Sequence, residues 1–300
     1  MSIQPIIEQV ASVVLGKERQ IRLALAAMLA RGHLLIEDLP GVGKTTLAHA
    51  ISSSMGLEFR RVQFTSDMLP ADILGVSIFD RETGDFKFHP GPIFANLILA
   101  DEINRTTPKT QSALLEAMEE GQVTVEGETR PLPEPFFVIA TQNPVDQVGT
   151  FPLPESQLDR FMMRIQLGYP DPEAERLLLQ GSSRKEIISR LSPRMERAEL
   201  HLLQEKVRQI RASSALIDYL QAILKYSRTN PEFMNGLSPR AGLALLAASR
   251  AWAYLAGRDM VLPEDVQAVL ASVVDHRLVP AQDYARICPS DMLLSEVAVP

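Results

Sequence analysis

Cysteine is almost absent from this chain. Cys288 is the only one, so no intrachain disulfide can form and a reducing compartment is the natural reading. Long apolar runs are missing too: none approaches the ~20 residues that a membrane-crossing helix needs. The opening residues, Met1-Ser2-Ile3-Gln4-Pro5, carry no basic stretch leading into an apolar core, so no secretory signal is visible. Together these absences point to the cytoplasm. Clustered positive charge is lacking as well. Lys and Arg number 30 against 37 Asp and Glu, a net charge of −7, and no basic run exceeds the Arg60-Arg61 pair. Nonspecific nucleic-acid binders draw affinity from basic groups that displace counterions, so DNA or RNA is disfavoured as the main partner. The five histidines are scattered without ligand spacing, which argues against a histidine metal centre. Cys288 has no catalytic pattern around it and reads as either a buried small residue or an inert one. Trp252 lies in an apolar helical stretch and reads as packing.

What is present is regular. The chain has 300 residues, 46% of them hydrophobic, enough for one large domain or two smaller ones. In the first half, short apolar runs alternate with helical patterns. Residues 33–37, 59–64, 97–100, 136–141 and 162–167 read as strands, most of them nearly continuous in apolar residues as parallel strands buried on both faces are. Residues 45–55 and 108–119 read as helices, the second with Thr107 as N-cap and Pro108 at its first position. Such alternation predicts a parallel α/β sheet. Two hairpins interrupt it, one over 76–88 around Arg81-Glu82-Thr83-Gly84 and one over 122–130 around Glu126-Gly127. After Gly168 no strand pattern remains, and Asp171-Pro172 opens a helix. Residues 214–226, 239–256 and 263–276 are also helical in pattern. The expected organisation is an α/β core over 1–170 and linker helices with an all-α domain over 171–300.

Chemistry concentrates at three places in the first half. Asp38-Leu39-Pro40-Gly41-Val42-Gly43-Lys44-Thr45 lies between a strand and a helix, the setting a phosphate-binding loop requires. Gly41 and Gly43 allow backbone N–H groups to turn inward around phosphate oxygens. Lys44 would reach the β- and γ-phosphates, and Thr45 would join a Mg²⁺ shell. Gly41, Val42, Gly43, Lys44, Thr45 and Thr46 form the expected nucleotide-binding set, helped by the positive end of the following helix. The usual pattern has glycine where this chain has Asp38, whose carboxylate would repel a triphosphate unless it turned away. At the end of a buried strand, Asp101-Glu102 supplies an acid to hold Mg²⁺ and a base to polarise the attacking water. Asn143 ends another strand, where its amide could fix that water or contact the γ-phosphate; equally, Asn143-Pro144 is a frequent turn opener. ATP and Mg²⁺ are the implied ligands.

Two arginines lie further on. Arg160, just before the last strand, would either spread transition-state charge on a neighbour's γ-phosphate or form an ordinary surface ion pair. Arg164, on the strand itself, is a second candidate. Arg240 occupies the first turn of a helix, where a cation opposes the helix dipole; a bound phosphate would account for it, and so would simple tolerance in solvent.

These motifs, in this order, resemble AAA+ ATPases over nearly the whole chain. Within that superfamily the segments Phe64–Pro70, Gly91–Phe94, Asp101–Arg105, Thr110–Met118, Leu153–Phe161 and Ser238–Ala241 resemble the MoxR family. The resemblance implies an AAA+ P-loop NTPase core with a parallel sheet and hairpin insertions, followed by an all-α lid domain. It makes Asn143 the sensor-1 residue, Arg160 the arginine finger and Arg240 the sensor-2 residue, and it implies that Asp38 is tolerated because its side chain turns away. The implied assembly is a homo-oligomeric ring, a hexamer, with ATP at each subunit interface. Its turnover would drive chaperone-like remodelling of a protein client, in company with a protein carrying a von Willebrand factor A domain. A nucleic-acid-remodelling AAA+ motor is the alternative, and a nucleotide-gated scaffold without turnover is a third reading.

Overall fold

The computed structural model describes residues 3–143, 149–181, 184–281 and 288–299. The chain opens with helices α1 (Gln4–Ala11) and α2 (Glu18–Leu29), then alternates β1 (Leu34–Glu37), α3 (Lys44–Ser54) and β2 (Phe59–Gln63). A short helix α4 (Pro70–Leu74) leads into the hairpin β3 (Gly75–Asp80) and β4 (Asp85–Pro90). Next come β5 (Leu97–Asp101), α5 (Pro108–Glu120), the hairpin β6 (Gln122–Val125) and β7 (Glu128–Pro131), and β8 (Phe137–Gln142). One turn of helix, α6 (Glu155–Leu158), precedes the last strand, β9 (Met163–Ile165). The remainder is helical: α7 (Pro172–Gln180), α8 (Arg184–Ser189), α9 (Arg197–Arg208), α10 (Ser214–Thr229), α11 (Pro239–Leu255), α12 (Pro263–Val274) and α13 (Pro289–Glu296). Among the described residues past β9, strand-like pairing is confined to two isolated bridges.

The five segments read as strands form one sheet in the order β2-β5-β8-β1-β9, every pairing parallel. β5 is fully buried along its length, as is β8, which is why both read as unbroken hydrophobic segments rather than alternating ones. Both expected hairpins are antiparallel and stand off the sheet. Thr107 does occupy the N-cap of α5, but its hydroxyl meets that of Thr110 at 3.3 Å and caps no backbone N–H.

Apolar residues on one face of the sheet pack with α1, α2, α3 and the helices after Pro172 into a single cluster; residues on the other face pack with α5 and the hairpin bases. The N-terminal segment, to which the sequence analysis assigns no element, forms two helices that bind sheet and C-terminal helices together: α2 packs on α9 and α11. A polar clasp reinforces that join. Arg277, just past α12, is buried and donates to Asp159 Oδ1 at 2.6 Å and to the Phe161 carbonyl at 2.7 Å. Trp252 packs half-buried against the large cluster, as expected. Of the two readings of Cys288, buried or inert, the first does not hold: the residue is exposed.

His33 shows why a histidine need not signal a metal. It is buried at the start of the sheet, its Nδ1 accepts from Val138 N–H at 3.0 Å, and Nε2 therefore donates to the Met118 carbonyl at 3.0 Å. Burial pushes its pKa down to about 4, so the ring is a neutral spacer between β8 and α5. Among the described residues no cluster of three or more His, Cys, Asp or Glu side chains could hold a metal, and no helix is long and apolar enough to cross a membrane.

Candidate functional site

In a parallel sheet, loops leaving the C-terminal strand ends share one rim, where open α/β folds bind their ligands. Here β1, β2, β5 and β8 all deliver polar residues to that rim. The loop after β1 carries Gly41 and Gly43 with φ of 85° and 100°, a left-handed geometry that glycine adopts without strain. A Cβ built on either would meet nothing within 4 Å, so both face open space. Lys44 begins α3 and is buried, its Nζ donating to the Asp38 carbonyl at 2.5 Å and to Asn143 Oδ1 at 3.3 Å. Burial lowers the Lys44 pKa, while the charges of Asp38, Asp101 and Glu102 pull it back up.

Asp101 and Thr141 are neighbours at the ends of β5 and β8. The Thr141 hydroxyl donates to Asp101 Oδ1 at 2.6 Å and accepts from Glu102 N–H at 2.9 Å. That second bond helps hold Glu102 in the left-handed region, at φ 58°, a conformation uncommon for a residue with a side chain. The reversal of chain direction turns the Glu102 carboxylate into the rim. Its Oε1 accepts from Asn143 Nδ2 at 3.1 Å; Oε2 accepts from Gln63 Nε2 at 2.8 Å and pairs with Arg105 Nε at 3.0 Å. Pro144 lies outside the described residues, so the turn-opening reading of Asn143-Pro144 is left at the Asn143 amide itself.

Gly41, Gly43, Lys44, Thr45, Thr46, Asp101, Glu102 and Asn143 thus line one polar cavity of about 340 Å³, with Arg61 and Gln63 on its far wall. A second hollow of about 420 Å³ shares Gly41, Gly43 and Thr46 with it, and adds Val42, Val13, Val14, Tyr169, Pro170 and Leu178. The pair forms one bipartite trough, polar where phosphates would lie and apolar where a flat base would lie, within the size range of small-ligand sites. The donor set suits Mg²⁺: a hydroxyl on Thr45 and a carboxylate on Asp101, both oxygen ligands as that cation prefers.

Asp38 resolves its own anomaly. Its Oδ2 accepts from Leu167 N–H and Gly168 N–H, both at 2.6 Å, and Oδ1 accepts from Leu39 N–H at 2.8 Å. The carboxylate therefore points away from the trough and staples the loop to the exit of β9. Replacing it with the usual glycine is expected to cost about 2–4 kcal/mol, because three N–H groups, those of Leu39, Leu167 and Gly168, lose a charged acceptor. Urea unfolding of Asp38→Gly measures this; unchanged stability together with tighter ATP binding would put the carboxylate against the phosphates instead.

Neither Arg160 nor Arg240 lines the trough. Met163, at the start of β9, pairs with Leu34 at the start of β1, whereas the phosphate loop follows Glu37 at its end. Arg160 is thus at the opposite rim, roughly 10 Å or more of strand away. Arg240, read from sequence as a nucleotide contact, shares that distant place: Glu119 Oε2 pairs with Arg160 Nη2 at 3.1 Å and Glu119 Oε1 with Arg240 Nη1 at 2.7 Å. The three line a separate cavity of about 350 Å³. Arg164 is held by Glu37 at 2.7 Å.

Sequence reading missed Arg61, Gln63, Thr141 and the apolar half of the trough. A usable signal existed for one of them: Thr141 is a polar residue near the end of an otherwise apolar, fully buried strand, a position that reaches the functional rim.

A parallel sheet with a glycine loop after one strand and paired acids after another defines a P-loop ATPase of the AAA+ class, and comparison with known proteins agrees. A family profile described as the ATPase family associated with various cellular activities (AAA) matches residues 33–163, and the AAA lid domain profile matches residues 225–291. YeaC of Bacillus subtilis (strain 168), itself uncharacterized, is 47% identical over 272 residues, 91% of this chain and 85% of the relative. Chaperone MoxR1 of Mycobacterium tuberculosis is 39% identical over 290 residues, 92% of this chain and 75% of the relative. The crystal structure of an ATPase so assigned from Cytophaga hutchinsonii superimposes with a TM-score of 0.91 at 35% identity, covering 99% of this chain and 94% of that one. The chain belongs to the MoxR family of AAA+ ATPases.

Proposed function

We propose that the chain hydrolyses Mg²⁺–ATP at the interfaces of a ring of its own copies, a hexamer, and uses turnover to remodel a protein client. The observation that carries this is the convergence of Lys44, Asp101, Glu102 and Asn143 on one cavity. Bound there, Mg²⁺ would neutralise charge on the β- and γ-phosphates. The protein's own part is the rest. Lys44 holds the phosphates, Glu102 accepts a proton from the attacking water, and the Asn143 amide, already bonded to Glu102, orients that water. The positions of Arg160 and Arg240 support the ring: too far from their own trough, they are placed to serve a neighbour's. Glu119 holds them only through half-exposed ion pairs, each worth ~0.2–1 kcal/mol, so a neighbour's triphosphate can compete for them.

A protein client is favoured by the β3–β4 hairpin. Ile78, Phe79 and Phe86 are exposed near its tip, the two rings in edge contact at 5.4 Å between centroids. The charged residues from Asp80 to Lys87 are Asp80, Arg81, Glu82, Asp85 and Lys87, more acidic than basic, which suits an apolar polypeptide better than a polyanion. The chaperone name of the Mycobacterium tuberculosis relative points the same way. A cytoplasmic setting and a partner with a von Willebrand factor A domain complete the reading.

Lys44→Ala tests it first. Removing the ammonium is expected to weaken ATP binding roughly 10- to 100-fold, the worth of one or two charged hydrogen bonds, measured by isothermal calorimetry on folded protein. Undiminished affinity would reject the site.

A further inference from the structure

Arg61 sits where the metal shell of the proposed ATPase would form, and the roles of the P-loop, the paired acids and Asn143 leave it without a task. Arg61 and Gln63 are two residues apart on β2, so both face one side of the sheet. The register sets Arg61 opposite Leu99 and Gln63 opposite Asp101, which leaves Arg61 diagonal to Asp101 on that face. Its Nη2 and Nε both donate to Asp101 Oδ2, at 2.7 and 3.1 Å, while Thr141 donates to Oδ1. The Asp101 side chain is 12% exposed and that of Arg61 is 49% exposed: a fixed acid held by a base with room to leave. Arg61 Nη2 also donates to Gln63 Oε1 at 3.0 Å, and Gln63 in turn holds Glu102.

We propose that Arg61 is a positioning residue that keeps the Asp101 carboxylate oriented in the metal-free trough and yields Oδ2 to the incoming divalent cation, so that metal entry exchanges one positive charge for another. The proposal rests on the ATPase reading above. Its physical content is a sign. A guanidinium already neutralising Asp101 competes with the cation, so its removal strengthens metal binding. An arginine whose purpose was to grip phosphate would do the reverse, because its loss would weaken nucleotide binding with or without metal.

The test uses the full chain and a fluorescent ATP analogue, titrated with Mg²⁺ and, separately, in excess EDTA. In Arg61→Ala the Mg²⁺ concentration at the midpoint of metal-enhanced nucleotide binding is expected to fall about fivefold, the scale of a partly exposed ion pair, while affinity in EDTA does not rise, since Asp101 is then left unneutralised beside the phosphates. Arg61→Gln, which keeps a hydrogen-bond donor without the charge, should shift the midpoint in the same direction and serves if the alanine variant does not fold. A midpoint that stays or rises in both variants overturns the proposal while leaving the ATPase reading intact. Folded wild-type protein that binds no nucleotide under either condition overturns both.

Discussion

Glu102→Gln is expected to stop turnover while the subunit keeps its nucleotide. A carboxylate that accepts a proton in the transition state contributes about 10²–10⁴-fold, and glutamine, equal in shape, cannot accept that proton. Neighbouring bonds predict that the pocket survives the change. Asn143 Nδ2, which donates to Glu102 Oε1, can still donate to an amide oxygen, and Thr141 still holds the backbone N–H of residue 102. The triphosphate grip at Gly41, Gly43 and Lys44 is untouched. Steady-state phosphate release measured beside binding of a fluorescent ATP analogue separates the two effects. Release near the wild-type rate would remove Glu102 as the base and leave the water to another group. The same variant, held in its ATP state, is the natural bait for the proposed protein client.

Much of this pocket was legible in the sequence, and the reason is physical. Phosphate loops need glycines, a lysine and a hydroxyl at fixed spacing because backbone N–H groups and one ammonium must converge on the same oxygens. The strands leading to the paired acids and to Asn143 are buried on both faces, which leaves a continuous apolar run that ends abruptly in polar residues. What sequence could not give was anything that depends on register between strands. Arg61 meets Asp101 only because β2 lies beside β5, and Thr141 bridges Asp101 and Glu102 only because β8 lies on the other side. Asp38 was an anomaly in one dimension and a staple in three, since Leu167 and Gly168, which satisfy it, are more than a hundred residues away. Helix α2 was hard to read for a different reason. Residues 21 and 23–29 of α2 are all buried, so that helix, wedged between sheet and C-terminal helices, shows little of the one-sided patterning that marks a surface helix.

Arg240 shows most clearly how placement can change a reading. Its position in the first turn of α11 suggested a phosphate partner, because a cation there opposes the helix dipole. In the subunit the partner is Glu119, shared with Arg160, at the rim of the sheet away from the phosphate loop. Two arginines converging on one acid are poised for a second anion, and in a ring the nearest candidate is the γ-phosphate of the adjacent copy. Head-to-tail contacts of that kind are heterologous, so in the proposed ring each interface would take its trough from one subunit and its arginines from the next.

That arrangement makes Arg160 testable by complementation. Arg160→Ala is expected to lower ATP turnover by about 10³–10⁵-fold, the range found for arginine fingers, and Lys44→Ala should abolish it through lost nucleotide binding. At an ATP concentration near the wild-type dissociation constant, where the weakened Lys44→Ala trough stays mostly empty, neither variant is active alone, but they fail on opposite sides of the interface. An Arg160→Ala subunit still offers an intact trough, and a Lys44→Ala subunit still offers an intact Arg160. Mixed in equal amounts and allowed to assemble, about a quarter of the interfaces would combine the two good halves, and turnover should return in that proportion. Light scattering on the same mixture establishes that assembly has occurred. Rings that form without any recovery would mean that Arg160 acts within its own subunit or only through Glu119. Arg240→Ala mixed with Lys44→Ala asks the same question of the second arginine. Recovery there as well would assign both cations to the neighbour's nucleotide, and Glu119 would become the residue that holds them until a triphosphate arrives across the interface.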